Sequence, residues 1–344
     1  MVYAGLDVHK RCTQICIEDE SGTLLERRIL TERHRLLEEF GGKSRMRILI
    51  ESSTESEWVA RCLESAGHEV VVGDPNFAPM YAQRSRRVKT DRRDARALMG
   101  ACKLGAYKPA HRCSDARKRV RARISARDLL VQTRTKCISL VRAFLRQEGI
   151  KPERKSSSTF AARVRELGAP ADLAVEIAPV LDLIDTLTAQ IRRADERVAE
   201  VAKDETHQRL MSVPGVGPVT AVAFVAALDD PKRFRGPKQV RAYFGLVPRE
   251  HSSGEKELRG HITKQGGSRM RRLLVQAAWA VLRSRPTPEA EPLRQWTANV
   301  ASRRGRYVAI VALARRLAGI LFAVWRDGTR YKAPGPLGGQ GVTT

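Results

Sequence analysis

The stretch VYAGLDVHK, at residues 2–10, decides how the N-terminal part of the chain folds. It begins with a short apolar run, which predicts a buried strand, and Asp7 lies near the end of that strand. A second apolar run, ILIESS at residues 48–53, places Glu51 at the corresponding end of another predicted strand. Two carboxylates at the ends of buried strands indicate a site at one edge of a sheet.

A third stretch, KTDRRDAR at residues 89–96, adds two more acids at the start of a predicted helix. Asp91 and Asp94 are three residues apart, so they share one helix face. Carboxylates packed together repel one another unless a cation lies between them, and Mg²⁺ prefers hard oxygen ligands. The sequence therefore predicts a magnesium site with four catalytic, metal-binding acids: Asp7, Glu51, Asp91 and Asp94.

The order of predicted elements indicates a fold class for this region. Strands are expected at residues 2–8, 13–18, 24–30, 46–50 and 69–72, and helices at 31–40, 55–66, 77–86 and 91–105. Three strands, then helix, strand, helix, strand and helix, is the order of the ribonuclease-H-like fold, whose first strand lies at the sheet centre. The analogy concerns the fold and does not by itself define a reaction.

The charge of the chain indicates its partner. Lys and Arg number 63 against 38 Asp and Glu, a formal net charge of +25, which favours a polyanion: nucleic acid or an anionic membrane surface. The apolar stretch 307–325 is interrupted by Arg315 and Arg316, which predicts a buried helix and argues against a membrane span.

The six cysteines argue against a zinc site, because none forms a CxxC pair and the histidines are scattered. We expect them to be small buried residues in a reducing cytoplasm. The chain starts directly on a predicted strand, and no signal peptide is expected.

The middle of the chain is predicted to be helical and basic. Residues 117–146 contain ten Lys or Arg interleaved with apolar positions, and a surface that follows phosphates is one interpretation, a solvated face the other. The candidate nucleic-acid contacts here are Arg119, Arg123 and Arg127. Residues 151–159 predict a loop or hinge. A heptad seam from about residue 178 predicts a second long helix, packed on the first within one chain or between two.

Downstream, SVPGVGPVTA at residues 212–221 resembles a helix-hairpin-helix turn. Gly215 and Gly217 would let the backbone approach a phosphate, although a plain helix–helix turn fits the same residues. The segment HSSG, at residues 251–254, predicts a polar loop with hydroxyls among cations, where a serine could attack a phosphodiester. Further candidate nucleic-acid contacts surround it: Arg259, Lys264, Arg269, Arg271 and Arg272.

Taken in order, these motifs resemble the IS110 family of bacterial insertion-sequence transposases, with Piv-type DNA invertases as relatives. The resemblance runs over GLDVHK, the Glu after ILI, KTDRRDAR, SVPGVGPVTA, FGLVPREHSSG and ITKQGGSRMRRLL, within about residues 1–325. It implies that the four acids form the metal site and that Ser253 is the catalytic nucleophile, with Ser252 as its alternative.

The resemblance also implies an organisation and partners. We expect a RuvC-like catalytic domain at 1–108, a basic helical or coiled-coil region at 109–205, a mostly helical transposase domain carrying the serine at 206–330, and a disordered tail at 331–344. The family further implies Mg²⁺, a covalent phosphoserine–DNA intermediate, a structured guide RNA, and a homo-oligomer, dimer or tetramer, in which one subunit's serine meets another subunit's acids.

One stretch departs from the family pattern. After Glu51 the family continues with small residues, Gly and an aromatic pair, whereas this chain has Ser52-Ser53-Thr54-Glu55-Ser56-Glu57-Trp58. Glu51 is retained as the expected ligand because it ends the strand. Glu55 either contributes to the site or begins the next helix with favourable charge.

Three functions fit the sequence. The first is a transposase or invertase that acts through Ser253 and Mg²⁺. The second is a metal-dependent junction nuclease in which the acids activate water and Ser253 is structural. The third is a basic architectural protein without activity, which the clustered acids disfavour because unpaired carboxylates cost stability.

Overall fold

A five-stranded sheet forms the core of the N-terminal part, with strand order β3-β2-β1-β4-β5. Its strands are β1 (Val2–Val8), β2 (Cys12–Glu18), β3 (Leu24–Leu30), β4 (Met46–Glu51) and β5 (Glu69–Gly73). Strand β1 is antiparallel to β2 and parallel to β4, which in turn is parallel to β5. All five predicted strands are confirmed, and the first lies at the sheet centre.

The computed structural model describes residues 1–81, 90–153, 155–253 and 256–333, and within 250–259 it describes the main chain alone. The chain divides into two compact units, Met1–Cys113 and Ser114–Thr344. The first is mixed α/β and the second mostly helical, as predicted. The predicted tail lies outside the described residues from 334 onward.

The helices of the first unit are α1 (Arg33–Phe40), α2 (Ser56–Ser65) and α3 (Asp91–Leu104), with a short 3₁₀ helix at Ala78–Tyr81. Half of the helix predicted at 77–86, residues 82–86, falls outside the described residues. Strand apolar residues pack against α1 and α2 in one buried cluster that includes Leu6, Ile50, Phe40 and Leu63.

Helix α3 lies directly on the backbone of β1. A Cβ atom built on Gly5 would be 2.1 Å from the amide nitrogen of Met99 and 2.3 Å from the carbonyl oxygen of Ala95. Only a residue without a side chain allows this approach, because the neighbouring atoms are main chain and cannot rotate away. The contact fixes where α3 crosses β1, two residues before Asp7.

Two long helices begin the second unit: α4 (Asp115–Gln147) and α6 (Ala171–Val201). They pack on each other within one chain, one of the two options that the heptad seam left open. The buried seam of α6 is Ile177, Leu181, Ile184, Leu187, Ile191, Ala194 and Val198. Helix α6 begins seven residues before the predicted start and accommodates Pro179 in its interior.

Shorter elements complete the second unit: α5 (Phe160–Glu166), α7 (Glu205–Met211), α8 (Pro218–Leu228), α9 (Pro237–Tyr243), β6 (Pro248–Ser253), β7 (Lys256–Ile262), α10 (Ser268–Arg283), α11 (Glu291–Arg304) and α12 (Arg306–Asp327). Helix α8 is apolar and buried on nearly every side, and it packs with α10 and α12 in a large core. Among the described residues, α12 alone is long and apolar enough to cross a membrane, and 56% of its apolar window is buried. Such burial is typical of a core helix.

Replacing Gly5 with Ala is expected to destabilise the first unit by about 1–3 kcal/mol, because its methyl group would force α3 away from β1. Chemical denaturation followed by circular dichroism measures the change. Gly236→Ala is the control, since a Cβ atom there meets no atom within 4 Å. Equal stability of Gly5→Ala and Gly236→Ala would contradict the close contact.

Candidate functional site

Asp7 lies near the carboxyl end of the central strand β1 and is buried, with 8% of the residue exposed. On the parallel neighbour β4, Ile50 pairs with Leu6, so Glu51 follows beside Asp7 in the register. The two acids that the sequence places at strand ends therefore end adjacent strands on the same side of the sheet.

Helix α3 adds Asp91 and Asp94 in its first turn, as predicted. Thr90 caps the helix, because its hydroxyl accepts a hydrogen bond from the Arg93 amide at 3.3 Å. Negative charge is favourable at this end of a helix, which compensates part of the cost of bringing acids together. Asp94 is buried, with 5% exposed, whereas the Asp91 side chain is about half exposed.

Ion pairs hold α3 in place across the sheet. Glu26 on β3 pairs with Arg92 and Arg96, the latter at 2.8 Å. Farther along the helix, Lys103 pairs with Glu18 on β2. The arginines of KTDRRDAR are thus partly structural, since they fix the helix that carries Asp91 and Asp94.

His9 belongs to the cluster, and sequence reasoning missed it. Its Nε2 atom lies 3.2 Å from Oδ2 of Asp7 and 3.5 Å from Oδ1 of Asp91. One ligand atom from each of these three residues lies within 4.8 Å of the others. The sequence spacing did indicate this, because His9 is two residues after Asp7 and residues two apart in an extended chain point to the same side.

Thr31 fixes the backbone at this point. Its hydroxyl donates to the carbonyl oxygen of His9 at 2.8 Å and lies 2.9 Å from the hydroxyl of Thr13. The helix predicted at 31–40 therefore starts two residues later than expected. Helix α1 begins at Arg33 after Glu32, and the Thr31 hydroxyl is used between strands.

The electrostatics of the cluster favour a bound cation. Burial raises the pKa of Asp7, His9 opposes that rise, and Asp94, Asp91 and Glu51 raise the pKa further. These shifts show that the three other acids are close enough to repel a charge on Asp7. A divalent cation would remove this repulsion, and the oxygen-rich donor set of Asp7 and Asp91, with His9 beside them, is compatible with one.

Glu55 and Glu57, the additional acids in the stretch that differs from the family pattern, each have a hydrogen-bond partner. Oε2 of Glu55 accepts a hydrogen bond from the indole nitrogen of Trp58 at 2.6 Å, just before α2 begins. Burial works to raise the pKa of Glu57, but hydrogen bonds from Arg112 and Arg61 outweigh it and hold that pKa below its usual range. Glu57 is thereby engaged in ion pairs within the first unit.

In the second unit, the predicted HSSG loop is the end of a hairpin. His251, Ser252 and Ser253 lie in β6, where Ser253 pairs with Lys256 of β7. The prediction of a loop is therefore wrong for these three residues, because antiparallel pairing with β7 extends through Ser253. Gly254 lies outside the described residues.

Main-chain contacts hold the base of this hairpin. A Cβ atom on Gly245 would be 2.1 Å from the carbonyl oxygen of Gln265, and one on Gly266 would be 2.1 Å from that of Tyr243. Both glycines have positive φ, +65° and +76°. The two segments that lead into and out of the hairpin therefore touch through their backbones.

Several candidate nucleic-acid residues have partners inside the protein. Asp128 on α4 is buried, with 4% exposed, and its Oδ2 accepts hydrogen bonds at 2.7 Å from both Arg269 and Arg272 on α10. Arg271 donates to the carbonyl oxygens of Phe244, Gln265 and Gly266 at 2.9–3.2 Å. Arg271 thus clamps the segments at the base of the hairpin.

The candidates on α4 divide between surface and interior. Arg123 donates to the carbonyl oxygen of Arg197, and Arg127 pairs with Asp195 at 2.8 Å, both across to α6. Arg119 is exposed. Lys264 is exposed beside the hairpin, and the side chain of Arg259 lies outside the described atoms.

The two glycines of the PGVG turn differ. A Cβ atom on Gly215 would be 2.3 Å from the carbonyl oxygen of Ala277, so its positive φ of +80° and its lack of a side chain serve packing on α10. Gly215 thus has a packing role, and its approach to a phosphate stays a prediction. Gly217 precedes α8 and has open space around it.

An acidic cluster compatible with a divalent cation, in a chain of net charge +25, is typical of proteins that act on nucleic acid. The family described as Transposase IS116/IS110/IS902 matches residues 207–292, and a transposase family designated DEDD of IS110 matches residues 4–150. The chain belongs to this family of insertion-sequence transposases, as the motif resemblance predicted.

Three relatives that match 95% of this chain are also described as transposases. A probable family 20 transposase of Pseudomonas aeruginosa is 31% identical over 339 residues, which cover 95% of this chain and 98% of the relative. The transposase of insertion sequence IS1111A from Coxiella burnetii is 29% identical over 95% of this chain and 90% of its own length. The transposase of IS1328 from Yersinia enterocolitica is 29% identical over 95% of this chain and 97% of its own length.

Replacing Asp7 with Asn is expected to raise the midpoint of thermal unfolding at neutral pH in EDTA. Folding raises the pKa of Asp7, so its ionised form destabilises the folded state above that pKa, and Asn never ionises. Mg²⁺ at a hundred times its Kd should stabilise the wild type by about 2.7 kcal/mol and the variant far less. Differential scanning fluorimetry measures both.

The control for this experiment is Glu196→Gln on α6, where the side chain is 67% exposed. It should keep the wild-type response to Mg²⁺. An undiminished response of Asp7→Asn would show that the cation binds elsewhere.

Replacing Arg271 with Ala is expected to lower the free energy of unfolding by about 1–2 kcal/mol, because three carbonyl groups lose a charged donor. The salt dependence of DNA binding should stay unchanged, since Arg271 is used internally. A phosphate contact would instead reduce the slope of log K against log salt by about 0.9. Urea titration and fluorescence anisotropy separate the two, with Lys264→Gln as the exposed comparison.

Proposed function

We propose that this chain is a recombinase of an insertion sequence that cuts and joins DNA strands through a phosphoserine intermediate at Ser253. In this proposal Asp7, Glu51, Asp91 and Asp94 hold Mg²⁺. The observation that carries it is the convergence of three further carboxylates on the buried Asp7, whose pKa they raise. Membership of a transposase family supports DNA as the substrate.

Each step of the proposed chemistry forms one P–O bond and breaks another. The Ser253 oxygen attacks the phosphorus, a phosphoserine ester forms, one P–O bond of the DNA breaks, and the leaving oxygen departs as a hydroxyl. A free DNA hydroxyl then attacks the phosphoserine, the new DNA linkage forms, and Ser253 regains its proton. No nucleotide triphosphate is required, and the sequence has no Walker-type loop.

The residues of the first unit would position the phosphate and hold the cation. When bound, Mg²⁺ supplies neutralisation of the charge that develops on the phosphoryl oxygens. Helix α3 holds Asp91 and Asp94 through the Gly5 contact and the Glu26 ion pairs. His9 lies against both Asp7 and Asp91, so it restrains the orientation of their carboxylates.

We assign the first unit to the RuvC-like variant of the ribonuclease-H-like fold, supported by the central β1 and the strand order β3-β2-β1-β4-β5. We keep the proposed boundaries at 1–108, 109–205 and 206–330. A structured guide RNA, a homo-oligomer and a cytoplasmic, nucleoid-associated location complete the proposal. They rest on the family resemblance and on the net charge of +25.

A second function follows from one observation: the acidic cluster is assembled entirely within the first unit. Such a cluster could activate water by itself, which would make the protein a metal-dependent junction nuclease. Hydrolysed DNA ends without a protein–DNA adduct would distinguish this function from recombination.

The decisive variant is Ser253→Ala, which is expected to abolish the covalent adduct and reduce strand joining by on the order of a thousandfold or more, since it removes the nucleophile. Adducts are detected on denaturing gels with labelled element-end DNA and Mg²⁺. Ser252→Ala is the matched control on the same strand and should retain the adduct.

An adduct that persists in Ser253→Ala and disappears in Ser252→Ala would move the nucleophile by one residue. Cleavage by Ser253→Ala without any adduct, at the wild-type rate, would favour the nuclease.

A further inference from the structure

A groove of about 1050 Å³ lies within the second unit. Helix α12, together with Arg241 of α9 and Trp296 of α11, forms one wall. The other wall is the base of the β6–β7 hairpin that carries Ser253, which we term the serine hairpin. From the hairpin, Pro248 of β6 and Ile262 of β7 line it. The groove is therefore continuous with the element that carries Ser253.

One face of α12 lines the groove. Tyr307, Val311 and Arg315 are four residues apart, and Val308, Ala312 and Arg316 repeat the same spacing one residue later. Residues with these spacings lie along one side of a helix over about 12 Å. The face changes from aromatic and apolar at its N-terminal end to cationic at its C-terminal end, and the core covers the opposite side.

The cationic end is not neutralised by the described groove residues, none of which is Asp or Glu. Burial lowers the pKa of Arg241, and the nearby Arg315 and Arg316 lower it further. Nε of Arg241 is buried and has no hydrogen-bond partner among the described residues. Three guanidinium groups held together without an acid favour an anion between them.

Flat aromatic surfaces lie at both ends of the groove. The ring of Tyr307 belongs to a residue that is 81% exposed, although Tyr usually packs most of its surface. Trp296 is half-buried, and the guanidinium carbon of Arg316 lies 4.7 Å from its ring centroid. An aromatic ring and a stacked guanidinium are surfaces on which nucleic-acid bases stack.

We propose that this groove, which we term the α12 groove, binds an unpaired segment of DNA, with bases stacked on Tyr307 and Trp296 and phosphates held by Arg241 and Arg315. The choice of DNA rests on the proposed function, because the groove continues into the hairpin of the proposed nucleophile. Ser253 is five positions after Pro248, so the groove lies roughly 17 Å from the serine along an extended strand.

The chemistry of the groove favours an unpaired strand over a duplex. A duplex presents phosphates outward and keeps the faces of its bases stacked, so it would leave the aromatic surfaces of the groove unused. An anionic lipid surface or a second copy of this chain would cover the apolar positions, but neither requires the aromatic platform and the acid-free arginine cluster together.

Tyr307→Ala tests the proposal, because the exposed side chain can be removed without disturbing the core. We expect its affinity for a fluorescein-labelled oligothymidylate to fall about tenfold, with duplex affinity unchanged, as measured by anisotropy. Tyr307→Phe should restore binding, because the ring remains. The matched control is Leu129→Ala, at another exposed apolar position on α4, 65% exposed, which should bind like the wild type.

Arg315→Gln should reduce the slope of log K against log salt for the single strand by about 0.7, because one phosphate contact is lost. Wild-type single-strand affinity of Tyr307→Ala would overturn the proposal. So would a change of oligomeric state in Tyr307→Ala by light scattering, which would assign the groove to a second copy. Stronger displacement by single-stranded RNA than by DNA would overturn the choice of DNA.

The Ser253→Ala variant keeps this result separate from the proposed function. Intact single-strand binding by Ser253→Ala, together with weakened binding by Tyr307→Ala, supports the groove even if no adduct forms in the wild type. An adduct in the wild type with unchanged binding by Tyr307→Ala overturns the groove alone.

Discussion

The acidic site depends on how closely helix α3 approaches strand β1. At Gly5 the two backbones touch, with no room for a side chain. Because α3 begins only one turn earlier, its first acids are carried to the side of the sheet where Asp7 and Glu51 end their strands. The protein thus assembles four like charges by main-chain packing, and the ion pairs of Glu26 keep the helix in place.

Much of this arrangement could be predicted from the sequence. Apolar runs ending in an acid predicted the strands, and Thr90 before Asp91 is an ordinary start for a helix. His9 was missed although its spacing from Asp7 indicates a shared side. The Glu57 ion pair could not be predicted, because Arg112 lies 55 residues farther along the chain and only the fold brings them together. Ser253 was proposed as the nucleophile from the family resemblance and not from its own chemistry.

Arginine content predicts a polyanion partner, but it does not show which arginines remain available. Arg269 meets Asp128 across 141 residues, and Arg127 meets Asp195, so a sequence window cannot detect either pair. Local composition made these residues candidates for phosphate contacts, whereas tertiary structure gives them internal partners. Arg241, Arg315 and Arg316 show the reverse. Only the fold reveals that the described residues lining their groove include no acid.

The anchoring of the serine hairpin has a consequence for how such a protein can change over evolutionary time. Gly245 and Gly266 join the base of the hairpin through main-chain atoms, so these two contacts do not depend on the identity of any side chain. Substitutions at neighbouring positions can therefore accumulate while this part of the anchor stays fixed. The two glycines have no such freedom, because any larger residue there would displace the whole hairpin.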